Sequence, residues 1–374
     1  MSSRLSPPSR LLAARVRLPR LERGGRRGLA GGSAPSPVVG LEIDPHHVLA
    51  AEVSVSTGLR VKRAVGLPLS PEVMREGEVV DVDALAGTLK ELFETHKIDR
   101  RVRVGVANQR VMVRTIELPV IENPRELEAA VRFRAQDEIP MPMDEVVLDF
   151  HPRPVMATDA GPRQRVVVVA ARREMVEKLL SAVSAAGLRV EGIDLSAFAL
   201  IRALAPAGSS DRVLYVALGG QTNLAVAEGR DCVFTRILGA GLDMIVNATA
   251  ERAGVSRLEA RRLLHDGAEP GEEQEEPGTQ ILRAVLDEVV RTMVSEIRSS
   301  LDYQLSQDAD GPVSRAVLLG PGAELGALTE RLTEELGLPV SLGEVQLADP
   351  AVVTDIPLSR LAVAAGLAVS EAPR

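Results

Sequence analysis

Residues 212–241, RVLYVALGGQTNLAVAEGRDCVFTRILGAG, hold the densest set of groups able to grip an anion. The apolar run Val213–Leu218 stops at Gly219-Gly220, and Gln221, Thr222 and Asn223 follow as hydrogen-bond donors. A tight glycine turn lets backbone N–H groups approach a phosphate closely. Two more strand-like runs, Leu224–Ala227 and Cys232–Leu238, are separated by Glu228-Gly229-Arg230, so the spacing predicts a β-meander. A similar strand, polar turn and strand opens at Val38–Ser54, with carboxylates at Glu42 and Asp44. A third glycine turn, Gly320-Pro321-Gly322-Ala323, lies within Leu318–Leu325. There is no G-K-[ST] segment, which excludes a P-loop enzyme.

A chain of 374 residues is long enough for two or three domains with a sizeable core. Apolar residues at 45% and charged residues at 26% fit a globular protein. Aromatics are only 2% and Trp is absent, so no base-stacking surface is available and nucleic acid is not expected as a partner. Cys232 is the one cysteine. That excludes an intrachain disulfide framework and a cysteine-based zinc site, and fits a reducing cytoplasm. In its apolar strand the thiol reads as buried and inert. No run reaches the ~18–20 apolar residues of a membrane span, so membrane association must go through partners or a surface patch.

Charge is unevenly spread. Residues 1–37 hold eight arginines and one glutamate, whereas the whole chain carries −8. This stretch lacks the apolar h-region of a signal peptide. It reads as a disordered basic tail, or as residues ahead of the true start. Its arginines could aid attraction to anionic lipid at ~1 kcal/mol each.

Periodicity supplies the supporting elements. Leu85, Leu89, Leu92 and Phe93 predict a helix over 82–96 capped by Asp81 or Asp83. Residues 101–190 alternate strand and helix patterns and read as an inserted α/β unit. Within it Asn123-Pro124 starts a helix that Ile139-Pro140-Met141-Pro142 stops. Arg173–Ala186 is an amphipathic helix ended by Gly187. Ser256 with Glu259 forms a capping box. The acidic stretch 266–278 lacks the ligand spacing of an EF-hand and reads as a solvated loop. Ile281, Val285, Val289, Met293, Ile297, Leu301 and Leu305 make the core stripe of one long helix. Adjacent His46-His47 lack the further ligands a metal site needs, so no metal site is expected.

Two phosphate-type hairpins and a late glycine loop are together similar to the layout of the actin-like ATPase superfold. Ordered motifs narrow the resemblance. Arg114-Thr115-Ile116-Glu117-Leu118-Pro119 is followed by Glu126–Phe133, then by Glu138-Ile139-Pro140-Met141-Pro142-Met143-Asp144-Glu145-Val146. Ala170-Ala171-Arg172-Arg173-Glu174, Ala186-Gly187-Leu188, Ile193-Asp194, Phe234-Thr235-Arg236 and Ile297–Tyr303 complete the series. With these the chain resembles the type IV pilus assembly protein PilM family, relatives of the cell-division protein FtsA. The resemblance covers residues 38 to about 368.

It implies an α/β protein with two actin-like lobes. The first is expected over 38–205 with the inserted α/β subdomain at about 101–190. The second is expected over 206–368 with a smaller helical subdomain at about 246–311, before a tail at 369–374. It implies a cytoplasmic protein, peripheral at the inner face of the cytoplasmic membrane. Its partners would be the N-terminal peptide of a PilN-like membrane protein and, through it, pilus motor ATPases. The peptide groove is expected at Val113, Arg114, Glu117, Arg132, Phe133 and Gln136.

The family places ATP, with Mg²⁺, between the lobes. Here Glu42, Asp44, Gly219, Gly220, Gln221, Thr222, Asn223, Gly320, Gly322 and Ala323 take the nucleotide-site positions. The chain departs from the pattern at two of the hairpins. Asp44 replaces the first turn's glycine, and like charges ~4 Å apart repel by ~4 kcal/mol at an effective dielectric near 20. Pro45 removes a backbone donor. Ala217 stands where the second hairpin carries its metal-associated carboxylate. The expectation is therefore a scaffold in which nucleotide binding is weak or lost and hydrolysis is compromised, with no catalytic residue. The alternatives are a working nucleotide-hydrolysing ATPase and an FtsA-like division protein. Ala217 and Asp44-Pro45 weigh against the first. The absence of an amphipathic anchor helix before Arg374 weighs against the second.

Overall fold

The computed structural model describes residues 38–56, 58–158, 161–266, 277–307, 312–349 and 355–369. The basic stretch 1–37 and most of the acidic stretch 266–278 lie outside the described residues.

The chain starts with an antiparallel meander of β1 (Val39–Asp44), β2 (His47–Ser54) and β3 (Arg60–Pro68). A short pair, β4 (Met74–Arg75) and β5 (Glu78–Val79), leads to α1 (Val82–His96). The Asp81 carboxylate accepts the Ala84 N–H and starts α1, while Lys97 in the left-handed region ends it. β6 (Arg101–Val106) then joins β1 in parallel. After it come β7 (Met112–Pro119), α2 (Pro124–Glu138), β8 (Val146–Thr158) and β9 (Gly161–Arg172), which form a separate sheet of order β7-β9-β8. The chain re-enters the first sheet through α3 (Arg173–Ala185) and β10 (Arg189–Leu195), and α4 (Ser196–Leu204) follows.

The second lobe repeats the plan. β11 (Arg212–Leu218), β12 (Thr222–Glu228) and β13 (Asp231–Leu238) form the meander. α5 (Leu242–Ala253), α6 (Arg257–Asp266) and α7 (Pro277–Gln307) form the helical layer. β14 (Arg315–Leu319), the 3-10 turn Pro321–Glu324, α8 (Gly326–Leu336) and β15 (Val340–Leu342) complete it. The second sheet runs β13-β12-β11-β14-β15, and the first runs β10-β6-β1-β2-β3-β16. In both, a three-stranded meander is extended from its first strand by two parallel strands.

Two expected boundaries need correction. The inserted unit was expected over 101–190, but β6 and β10 pair in the first-lobe sheet and α3 packs on α1. The separate sheet with its own core is 112–172, where Ile116, Leu118, Leu127, Val131, Ala135, Val166 and Val168 close together. The second lobe was expected to reach 368. Instead β16 (Gln346–Leu347) pairs with β3, and α9 (Ala362–Leu367) packs on β1, β2 and α4 in the first lobe. An apolar helix that covers an apolar sheet face removes both from water, which outweighs chain order. The approach is backbone to backbone. A Cβ on Gly366 would stand 1.8 Å from the Ala199 carbonyl oxygen, and one on Gly40 1.8 Å from that of Ala364.

α4 is buried from Ser196 to Arg202 and touches both the first-lobe strands and β12 and β13. The first-lobe core accordingly continues into Val213, Tyr215, Ala225 and Ala227 of the second sheet. The helical layer has its own core, from Leu214 and Val216 through Ile245, Val285, Val289 and Met293. No helix among the described residues is long and apolar enough to cross a membrane.

Candidate functional site: the hairpin cleft and the inserted sheet

The topology brings the β1–β2 and β11–β12 turns face to face. Between them lies a cavity of about 60 Å³ lined by Glu42, Asp44, Gly219, Gln221, Asn223 and Gly320, among others. Those six expected residues therefore meet at one place. Gly220 lies beside it, packed near Pro45, His46 and Asp243. Thr222, Gly322 and Ala323 do not line the cavity. Thr222 is fully buried with its hydroxyl towards the Met293 sulfur, 3.9 Å away. Gly322 is a close-packing residue, since a Cβ there would stand 2.7 Å from the Leu218 Cβ. Ala323 belongs to the core of the helical layer.

The electrostatics of the cavity are those of an acid pocket. Burial, reinforced by the neighbouring Asp44 charge, pushes the Glu42 carboxyl well above its ordinary range, against a backbone hydrogen bond from Ala364. Glu42 Oε2 is sealed from solvent without a hydrogen-bond partner. Asp44 is held differently. Its Oδ1 accepts the His46 N–H at 2.9 Å, and its Oδ2 accepts the Gly220 N–H at 3.2 Å. A cation at the rim, Arg360, is engaged with Glu324 through two hydrogen bonds. Among the described residues no group of three or more His, Cys, Asp or Glu could hold a metal ion.

These groups do not fit a nucleotide. Small-molecule sites usually enclose ~300–1,000 Å³, and the space here suits only a few waters. The Gly220 N–H that would face a phosphate is already taken by Asp44. Pro45 offers no N–H at all. A phosphate would also meet the two carboxyl groups of Glu42 and Asp44, which line the same cavity.

The turns are tied beyond Asp44. The His46 Nε2 lies 2.9 Å from Asp243 Oδ1 in the first turn of α5. Burial works to raise the Asp243 carboxyl, but the His46 hydrogen bond and the charges of His46, Arg257 and Arg261 hold it below its ordinary value. Arg261 Nη1 donates to the Leu69 carbonyl at 3.1 Å, and the Leu69 N–H donates to the His46 carbonyl at 2.9 Å. Sequence reasoning missed Asp243 and Arg261. Both lie in helices of the second lobe, α5 and α6, beyond the glycine turns that carried the signal.

The inserted sheet presents a second candidate surface. β7 is an edge strand. Met112, Ile116 and Leu118 turn to the α2 side, where they pack with Leu127, Val131 and Ala135. Val113 packs instead against the first-lobe core. Arg114 is exposed and folds its guanidinium back onto the Val113 carbonyl at 2.9 Å. Glu117 pairs across the strands with Arg165 at 3.3 Å. Arg132, Phe133 and Gln136 lie on the exposed side of α2, and Phe133 is 73% exposed, the most of any large apolar residue described. The six expected groove residues thus flank one edge strand and one helix, on more than one face of the unit. The unit also reaches the second lobe. Arg153 of β8 donates to the Cys232 carbonyl at 2.6 Å and pairs with Asp231 at 3.1 Å. Burial lifts the Cys232 thiol to about 12, although the residue is half-buried rather than fully buried as expected.

Comparison with known proteins agrees with this architecture. The family model for type IV pilus assembly protein PilM matches residues 40–371. The solved PilM–PilN type IV pilus biogenesis complex is similar at 28% identity, covering 89% of this chain and 97% of that chain, with a TM-score of 0.75. Ethanolamine utilization protein EutJ from Carboxydothermus hydrogenoformans shares the fold at 15% identity, covering 90% of each chain, with a TM-score of 0.51. Cell division protein FtsA of Streptococcus pneumoniae serotype 2 is 23% identical over 334 residues, spanning 77% of this chain and 72% of the relative. The fold is actin-like, and the chain belongs to the type IV pilus assembly protein PilM family.

Proposed function

We propose that the chain is a scaffold of a type IV pilus or related machine. It takes the N-terminal peptide of a PilN-like membrane protein on the inserted sheet and α2, and links that protein to pilus motor ATPases. It works at the inner face of the cytoplasmic membrane and is held there by the partner. The observation that carries the reading is the edge strand β7 together with the exposed Phe133 on α2 of the same unit. A strand edge offers unpaired N–H and C=O groups that an extended peptide can complete, and an exposed aromatic on the same unit supplies an anchor. The Arg114 guanidinium on the Val113 carbonyl covers one of those edge groups and is displaced by the peptide backbone. The match to the PilM–PilN complex supports the choice of partner. The cleft contributes no chemistry in this reading.

The test is fluorescence anisotropy with a labelled N-terminal peptide of a PilN-like protein. Phe133→Ala and Arg132→Glu should each weaken binding at least tenfold, about 1.4 kcal/mol. Both positions are exposed, so the fold should persist by circular dichroism. Unchanged affinity in both variants would refute the surface.

A further inference from the structure

Asp44 is bonded as an anion held between the two hairpins would be. One of its oxygens accepts an N–H from its own turn, that of His46 at 2.9 Å. The other accepts an N–H from the opposite turn, that of Gly220 at 3.2 Å. Backbone N–H groups converging from two turns are the usual means of holding a phosphate. The approach leaves no slack, since a Cβ on Gly219 would stand 2.6 Å from the Asp44 Oδ2.

Two more ties converge on the same turn. The His46 imidazole reaches Asp243 at 2.9 Å. Asp243 is itself fixed to the second hairpin, because its N–H donates to the Gly220 carbonyl at 3.0 Å. The Arg261 guanidinium crosses to the Leu69 carbonyl, and Leu69 is bonded to the His46 carbonyl. Asp243 is also faced by Arg257, whose Nη2 lies 3.9 Å from its Oδ1.

We propose that the β1–β2 turn is an internal substitute for nucleotide. The Asp44 carboxylate takes a phosphate's place between the hairpins, and with His46 and Arg261 it latches the two lobes together without any bound ligand. The tie between the two lobes is here built into the sequence. The inference concerns the cleft alone and stands or falls independently of the peptide surface.

The experiment is small-angle scattering and thermal melting of the full chain, with and without millimolar MgATP. The wild-type protein should show the same radius of gyration and the same Tm in both conditions. Asp44→Gly, which removes the bridging carboxylate, should melt a few degrees lower and scatter as a more extended particle. Asp44→Asn keeps the side-chain size and should fall between the two. A saturable rise in wild-type Tm or a compaction with MgATP would overturn the proposal. So would an Asp44→Gly protein as compact and as stable as the wild type. If Asp44→Gly does not fold, the Asn variant and the wild-type comparison still decide.

Discussion

The two lobes share one strand plan, yet their first hairpins have opposite chemistry. The β11–β12 turn keeps Gly219-Gly220 and points an N–H into the cleft. The β1–β2 turn carries Asp44-Pro45 and points a carboxylate at that N–H. One half of an anion site has been retained and the other half has become its ligand. The backing of the hairpins differs as well. Behind β1 lies α9 in backbone contact, with Gly40 leaving no space for a side chain. Behind β11 and β12 lie the larger side chains of the helical layer, such as Ile245, Val289 and Met293. Side-chain packing can adjust to a lost methylene, whereas a backbone contact cannot admit a new one. The first hairpin is therefore rigidly mounted, and its departure from a phosphate turn is fixed by the lobe behind it.

The largest effect expected from this contrast is at Gly40. Gly40→Ala drives a methyl into the Ala364 carbonyl at 1.8 Å and should cost roughly 3 kcal/mol or more, read by urea unfolding or by loss of soluble protein. The matching change in the second hairpin should be milder. Gly219→Ala meets the Asp44 Oδ2 rather than a helix backbone, so it should separate the turns at a cost of about 1–2 kcal/mol and leave each lobe folded. Equal losses in the two variants would erase the distinction between a rigid and a yielding hairpin.

Glu42 gives a change of opposite sign. Its folded pKa lies well above the unfolded value, so its contribution is fully present below the ordinary carboxyl range and is lost as pH rises through the folded value. Glu42→Gln should therefore stabilise the protein at pH 7–8, and the gain should vanish towards pH ~4. A variant less stable than wild type at neutral pH would mean that the charged form is wanted there. The smallest effect is at His47. Burial is the main cause that holds its imidazole below the ordinary value; His46 and Arg360 add to it, while Asp44 and Glu324 oppose it. The unfolded chain therefore binds a proton first as pH falls through ~6.5. Stability should decline below that pH, and the decline should be shallower in His47→Gln.

Much of the architecture was legible because it is written in periodicity and caps. The α1 helix begins at Val82 after Asp81, α2 begins at Pro124 after Asn123, and Ser256 caps α6 through the Glu259 N–H at 3.2 Å. The elements that escaped lack such signals. β3 carries Gly66 and Pro68, which punctuate the segment and hide its strand pattern. Its glycine is demanded by packing, since a Cβ there would stand 2.4 Å from a Leu49 methyl. α4 is buried on every side and so has no polar face to set a period. The strand patterns at Val146–Phe150 and Val166–Ala171 are legible, but β8 and β9 extend them through Pro152, Pro154 and Pro162, residues that normally end a strand. For the site, residue types identified the hairpins and the misfit of Asp44. They did not show that the carboxylate is bonded to Gly220, because that contact joins positions 176 residues apart.

The account's central claim is a family scaffold whose peptide surface works while its cleft needs no nucleotide. The direct measurement is titration calorimetry of the full chain with the N-terminal peptide of a PilN-like protein, run without nucleotide and again with MgATP. The account predicts saturable binding of the peptide with the same affinity in both runs. Peptide binding that appears only with MgATP, or no binding in either run by a folded protein, would contradict it.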